Sequence, residues 1–134
     1  MTTLETGNAA LAGATTRGWL VGDLAAWAAA RGESLDAGST PRQSERVQVK
    51  WYVHPAGHVR ESWAERDEHW SLSVLVAGGM RFEFRPPGGT RPRTIELIEE
   101  GDYVLWHGPS WEHTWSTESG CTILTVRWPV EERR

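Results

Sequence analysis

At 134 residues the chain is long enough for one domain with its own core, and its net charge of −4 is spread over interspersed acidic and basic side chains. That balance argues against a nucleic-acid partner, which needs a basic patch. No apolar run approaches the roughly 18 residues that span a bilayer, and a lone cysteine, Cys121, excludes an intrachain disulfide and suits a reducing compartment.

The first stretch, MTTLETGNAALAGATTRG, has no basic segment ahead of an apolar core. It is therefore not expected to be a secretory signal, and the expected location is cytoplasmic. Residues 1–16 lack periodicity and are expected to form a loose tail. Arg17 to Val21 suits a short strand. Asp23 is placed to cap a helix over Leu24 to Arg31, with Gly32 as its stop. Leu24, Trp27 and Ala28 fall on one face of that helix. Residues 33–45 are rich in Ser, Asp, Gly, Thr and Pro and read as a linker or flap.

From residue 46 the pattern changes to period two. Arg46 to His54, RVQVKWYVH, alternates cleanly: Val47, Val49, Trp51 and Val53 share one face, and Gln48, Lys50, Tyr52 and His54 the other. Further strands are expected over His69 to Ala77, Met80 to Arg85, Arg93 to Ile98 and Cys121 to Trp128, with turns at 55–57, 78–79, 86–92, 99–101 and 116–120. Gly101 to Trp115, GDYVLWHGPSWEHTW, reads as two strands joined through Gly108-Pro109. About eight short strands with frequent turn signals and one early helix predict an all-β sandwich or barrel. The domain division follows: residues 1–45 form an N-terminal segment packed on a barrel of residues 46–134.

Nine tryptophans are unusual in so short a chain. They suit a small barrel core and a dimer face, or the walls of a ligand pocket. Trp19, Trp27 and Trp70 are candidates for the dimer face.

The residues Gly101, Asp102, Pro109 and His113 resemble the second motif of the cupin superfamily: Gly-Asp, a short apolar strand, a Pro/Gly turn and a histidine. The likeness extends over Val47 to Trp128. Its pieces VQVKW, GDYVLW, HTW and TVRWP are similar to a group of small single-domain bacterial cupins with a weak first motif. The resemblance implies a double-sheet jelly-roll barrel, His113 as a metal ligand inside it, and a homodimer. Pro55-Ala56-Gly57 and Gly78 fit the limits of the first cupin motif. Ser71 stands where the family has a glutamate ligand, and no histidine occupies Ala64 to Asp67, so the first motif is degraded.

Several functional readings remain open. In the first, the barrel mouth binds a small organic molecule. Trp51, Trp63, Trp106 and Trp115 would wall the site, with Ser71 and Arg127 as polar contacts. His113 and Glu61 would form a general acid/base pair for a non-redox isomerisation, dehydration or cyclisation. In the second, a metal-free barrel senses or carries a metabolite without chemistry, which a lone histidine among aromatic rings would favour. In the third, Glu61, His69 and His113 hold one divalent iron, zinc, nickel or manganese ion, opening oxygenase or Lewis-acid chemistry. Carbohydrate recognition by stacked tryptophans is disfavoured by the missing signal. The remaining histidines have ordinary expected places: His58 in solvent, His107 in its turn, and His54 hydrogen-bonded beside the Pro-Gly turn.

Overall fold

A computed structural model describes residues 4–14, 16–33 and 41–131. Eight strands are formed among them: β1 (Trp19–Val21), β2 (Gln48–His54), β3 (His69–Gly78), β4 (Met80–Arg85), β5 (Arg93–Leu97), β6 (Tyr103–His107), β7 (Glu112–Ser116) and β8 (Cys121–Pro129). A five-stranded sheet runs β1-β2-β8-β3-β6, and a three-stranded sheet runs β5-β4-β7. All named pairings are antiparallel. The two sheets face one another as a jelly-roll barrel.

The N-terminal segment is more ordered than its composition predicts. Ala9–Ala12 make one helical turn, α1, because the Asn8 carboxamide accepts hydrogen bonds from the Ala10 and Leu11 amides at 3.0 and 3.3 Å. The expected helix appears as α2 (Leu24–Ala30), its first turn closed by Asp23, which accepts from the Ala26 amide at 3.3 Å. Gln43 braces the same turn: it donates to Asp23 at 2.8 Å and accepts from the Ala25 amide at 3.1 Å. Leu24 is buried, and Trp27 packs on Trp19 with ring centroids 5.1 Å apart. Most of the flap expected over 33–45 lies outside the described residues. Its last part is pinned, with the Ser44 amide donating to the Gly22 carbonyl at 2.8 Å.

Gly101–Asp102 makes the turn between β5 and β6. Gly101 adopts φ 94°, and one Asp102 carboxylate oxygen accepts from the Ile98 and Glu99 amides, both at 2.9 Å. Those two donors favour the ionised form and hold the carboxyl below its usual range. β6 and β7, joined by a 3₁₀ turn at Gly108–Ser110, are not hairpin partners. The turn carries the chain from one sheet to the other.

The apolar core fills only part of the space between the sheets. Leu75, Cys121, Ile123 and Trp106 from the larger sheet meet Met80, Phe82, Phe84 and Leu97 from the smaller. Leu75, at 1% exposure, sits at its centre. The rest of the inner space is lined by polar residues together with Trp19, Ala64 and Trp115. This inverts the usual reading of β2 and β3: Lys50, Tyr52, His54, Ser71 and Ser73 face inward. The register sets the apolar face of the same sheet outward in rows. Trp51, Leu124, Val74 and Tyr103 form one row, and Val49, Val126, Leu72 and Leu105 the next. Tyr103 and Leu105, at the sheet edge, are 65% and 48% exposed. Among the described residues no helix is long and apolar enough to cross a membrane.

Candidate functional site

A cavity of about 290 Å³ opens between the sheets. Its floor is the inner face of the five-stranded sheet, where cross-strand register stacks side chains in rows. The outermost row is Gln48, Arg127, Ser71 and Trp106. The next is Lys50, Thr125 and Ser73, and the third is Tyr52, Ile123 and Leu75. Polarity therefore falls from the outermost row toward the packed core. The opposite wall is the inner face of β4 and β7, where Phe84 pairs with His113 and Phe82 with Trp115. Arg60, Ala64, Glu65 and Asp67, from the segment between β2 and β3, close the rim.

That segment is fixed because it zips onto β7. The Arg60 amide donates to the Trp115 carbonyl at 3.0 Å, and the Ala64 amide to the His113 carbonyl at 2.7 Å. Arg60 to Ala64 thus covers the same ladder as Trp115 to His113. The surplus residues bulge away, and Glu61, among them, is exposed to solvent.

The electrostatics of the interior follow from burial and from three cations. Arg127 is held at the rim by Asp67, with Nη2 donating at 2.5 Å, and by Gln48, with Nη1 donating at 3.2 Å. Lys50, the sole lysine, is half-buried and stands over two rings, 4.8 Å from the centroid of Tyr52 and 5.3 Å from that of Trp19. No carboxylate forms an ion pair with it among the described residues. Burial, then Arg127, Arg60 and Arg17, lower its pKa. His113 is packed beside Trp106 and Phe84, with centroids 5.0 and 6.0 Å away. Burial, assisted by Arg60, lowers its pKa to about 4, so it is a neutral imidazole at pH 7. No side chain among the described residues hydrogen-bonds that imidazole. The Ser71 hydroxyl is buried on the cavity wall without a hydrogen-bond partner among the described residues, whereas Ser73 and Thr125 satisfy each other at 2.8 Å.

At the far side of the cavity His54 and His58 share a hydrogen bond between their Nδ1 atoms, 2.9 Å apart. One ring must donate and the other accept. Trp115 packs edge-on to both, at 4.6 and 4.9 Å. Burial, then the nearby His58 and Lys50, lower the His54 pKa to about 4. His58 is thus half-buried in a pair and not in solvent. His107 is in its turn, bonded to the Ser110 hydroxyl at 2.7 Å.

The structure brings Ser71, Trp106, His113, Trp115 and Arg127 together on this cavity. Four other expectations fall elsewhere. Trp51 lies on the outer face of β2, because the inner face is the one carrying Lys50 and Tyr52. Trp63 is part of the outward bulge and is covered by Arg85, whose guanidinium carbon is 4.0 Å from the ring centroid. Glu61 is in the same bulge, so it does not partner His113; the carboxylates that line the cavity are Glu65 and Asp67. His69 sits beside Asp67, with 3.8 Å between Nδ1 and Oδ1, and does not line the cavity. Lys50, Tyr52 and Arg60 also line the cavity and were not foreseen there, and so does His54, which was expected only as a hydrogen-bonded residue beside its turn. The clean alternation of β2 held three of them on a single face.

No protein-family model matches the sequence, and neither does any curated protein. Solved structures do match its fold. A cupin superfamily protein from Desulfitobacterium hafniense superposes with a TM-score of 0.54 at 18% identity, over 66% of this chain and 72% of that one. An oxalate decarboxylase variant from Bacillus subtilis gives 0.53 at 20% identity, over 64% of this chain and 22% of that one. The cupin domain of Drosophila melanogaster CENP-C gives 0.51 at 11% identity, over 66% of this chain and 64% of that one.

The chain has the cupin fold. In this cupin barrel His113 stands on β7 facing the cavity, and Ser71 faces it from β3. A first-row metal needs about three good donors. Among the described residues no group of three or more His, Cys, Asp or Glu side chains is close enough to hold one. Glu61, His69 and His113 are not brought together, and a serine hydroxyl replaces the expected carboxylate. Among the described residues the donor set of this barrel does not fit a side-chain-held transition metal.

Proposed function

We propose that the barrel binds a small organic anion, and that it does so as a pair of identical subunits. The observation that carries the reading is Lys50: a cation on the inner wall with no carboxylate partner among the described residues. Burying an uncompensated charge is costly, and an anionic ligand removes that cost. The Ser71 hydroxyl, without a partner among the described residues, supports the reading, since a buried polar atom left unpaired calls for a ligand or water to bond. Trp106 and Trp115 supply apolar walls, the ordinary composition of a small-molecule pocket. His113, neutral and without a hydrogen-bond partner among the described residues, offers one donor and one acceptor and suits recognition. That arrangement favours sensing or carrying a metabolite over acid/base turnover by a His113–Glu61 pair.

The second copy is assigned to the outer face of the five-stranded sheet. Two full rows of apolar side chains are exposed or half-exposed there, and contiguous apolar patches of this kind mark interaction surfaces. Trp70 belongs to this face, in register with Trp128. Trp19 does not, because it lines the cavity.

Tryptophan fluorescence tests the binding reading, because Trp19, Trp106 and Trp115 line the cavity. Titration with pyruvate, malonate and acetate is expected to give a saturable change, and glycerol none. Lys50→Gln is expected to weaken carboxylate binding about tenfold or more, the loss of one charge-assisted contact. An equal response to glycerol, or no response to any carboxylate, would overturn the reading.

A further inference from the structure

We propose that Lys50 captures a small 2-oxo acid covalently: its Nζ condenses with the keto carbon to an imine, while Arg60 and Arg127 attract the acid's carboxylate. The inference rests on the anion-binding reading of the same cavity and adds a bond to it. Three observations carry it. Lys50 is the only lysine, and it faces the cavity from the row next to Arg127. Those rows are two residues apart, about 7 Å along the strand, a span that a carboxylate and an adjacent carbonyl can bridge. Lys50 also stands over the Trp19 and Tyr52 rings, with no carboxylate among the described residues paired with it. An amine desolvated among aromatic rings and beside other cations is the arrangement that frees a lysine lone pair, and both effects lower the pKa here.

The condensation balances without an oxidant or cofactor. The nitrogen lone pair forms the C–N bond as the carbonyl π pair moves to oxygen. A proton passes from nitrogen to that oxygen and gives a carbinolamine. The nitrogen lone pair then expels the hydroxyl, which leaves as water with a proton from solvent, and the protonated imine remains. Loss of that proton returns the solvent's.

The test is reductive trapping on the full chain. Wild-type protein is incubated with pyruvate and sodium cyanoborohydride, then analysed by intact mass and peptide mapping. One reduced pyruvyl adduct on Lys50 is expected. With acetone, which has the carbonyl but no carboxylate, the yield is expected to be about tenfold lower, the contribution of one charge-assisted contact. Lys50→Arg removes the condensing amine and is expected to form no adduct. Circular dichroism checks its fold, and mapping of the wild-type adduct decides the matter by itself if the variant fails to fold. Saturable pyruvate binding without an adduct, or an adduct confined to the N-terminal amine, would overturn the covalent step and leave the anion-binding reading standing. Absence of both binding and adduct would overturn the two together.

Discussion

At the level of single residues, the inward-facing histidines make a pH-dependent contribution whose sign is fixed by their surroundings. His54 and His113 have folded-state pKa values lowered to about 4 from an ordinary 6.5, both first by burial. Between those values the unfolded chain binds more protons than the folded one. The stability these residues contribute is complete above about pH 6.5 and is lost as pH falls through about 4. Urea midpoints are therefore expected to hold steady above neutrality and to drop across the acid range. His113→Gln is expected to make that drop shallower, and an unchanged slope would show that the imidazole titrates normally. Of the residues around it, His113 and Ser71 were legible in the sequence because a motif fixed their positions. Lys50 was not: it stands in a strand whose two faces both look plausible as the interior, and nothing local tells a polar cavity from solvent.

Strands and sheets explain why. In most half-buried strands the apolar face points inward, and in β2 that rule would select Val49, Trp51 and Val53. Here the apolar face points out and the polar face lines the cavity. Strand positions were readable from period-two alternation, and their ends agree with the structure to within about two residues, the usual scatter. Orientation was not readable, because it depends on what covers each face, and the second subunit proposed above would cover the outer face of the larger sheet. Val126 lies mid-row in that face, between Val49 and Leu72. Light scattering is expected to give the mass of a dimer for the wild type. Val126→Glu is expected to give a monomer with an unchanged circular dichroism spectrum, since the side chain points away from the core. A monomeric wild type would remove this face from consideration as an interface.

Across the whole molecule, packing and cavity overlap only in part. Leu75 and Leu97 pack without lining the cavity, whereas Met80, Phe82, Trp106 and Ile123 belong to both the core and the cavity wall. Leu75 is buried to 1% exposure and does not line the cavity. Leu75→Ala is expected to cost about 2–5 kcal/mol of folding free energy, read as a lower denaturant midpoint with an unchanged carboxylate affinity. Ser71→Ala should do the reverse, leaving the midpoint nearly unchanged and weakening binding. A loss of affinity in Leu75→Ala equal to that in Ser71→Ala would show that packing and binding are coupled. The fold as a whole was legible because turn chemistry and alternation agree along the chain. The cavity lining was not, since it arises from long-range register that brings Lys50 beside Thr125 and Ser73.

The placement of the only lysine also bears on how the protein meets a protease. An endoproteinase that cleaves after lysine has a single target peptide bond in this chain, between Lys50 and Trp51, and that bond lies within β2 with β1 and β8 paired on either side. Cleavage therefore requires the barrel to open, and when reclosing is fast its rate follows the population of open molecules. One digestion band becomes a label-free measure of unfolding free energy. A ligand held in the cavity would slow its appearance in proportion to occupancy.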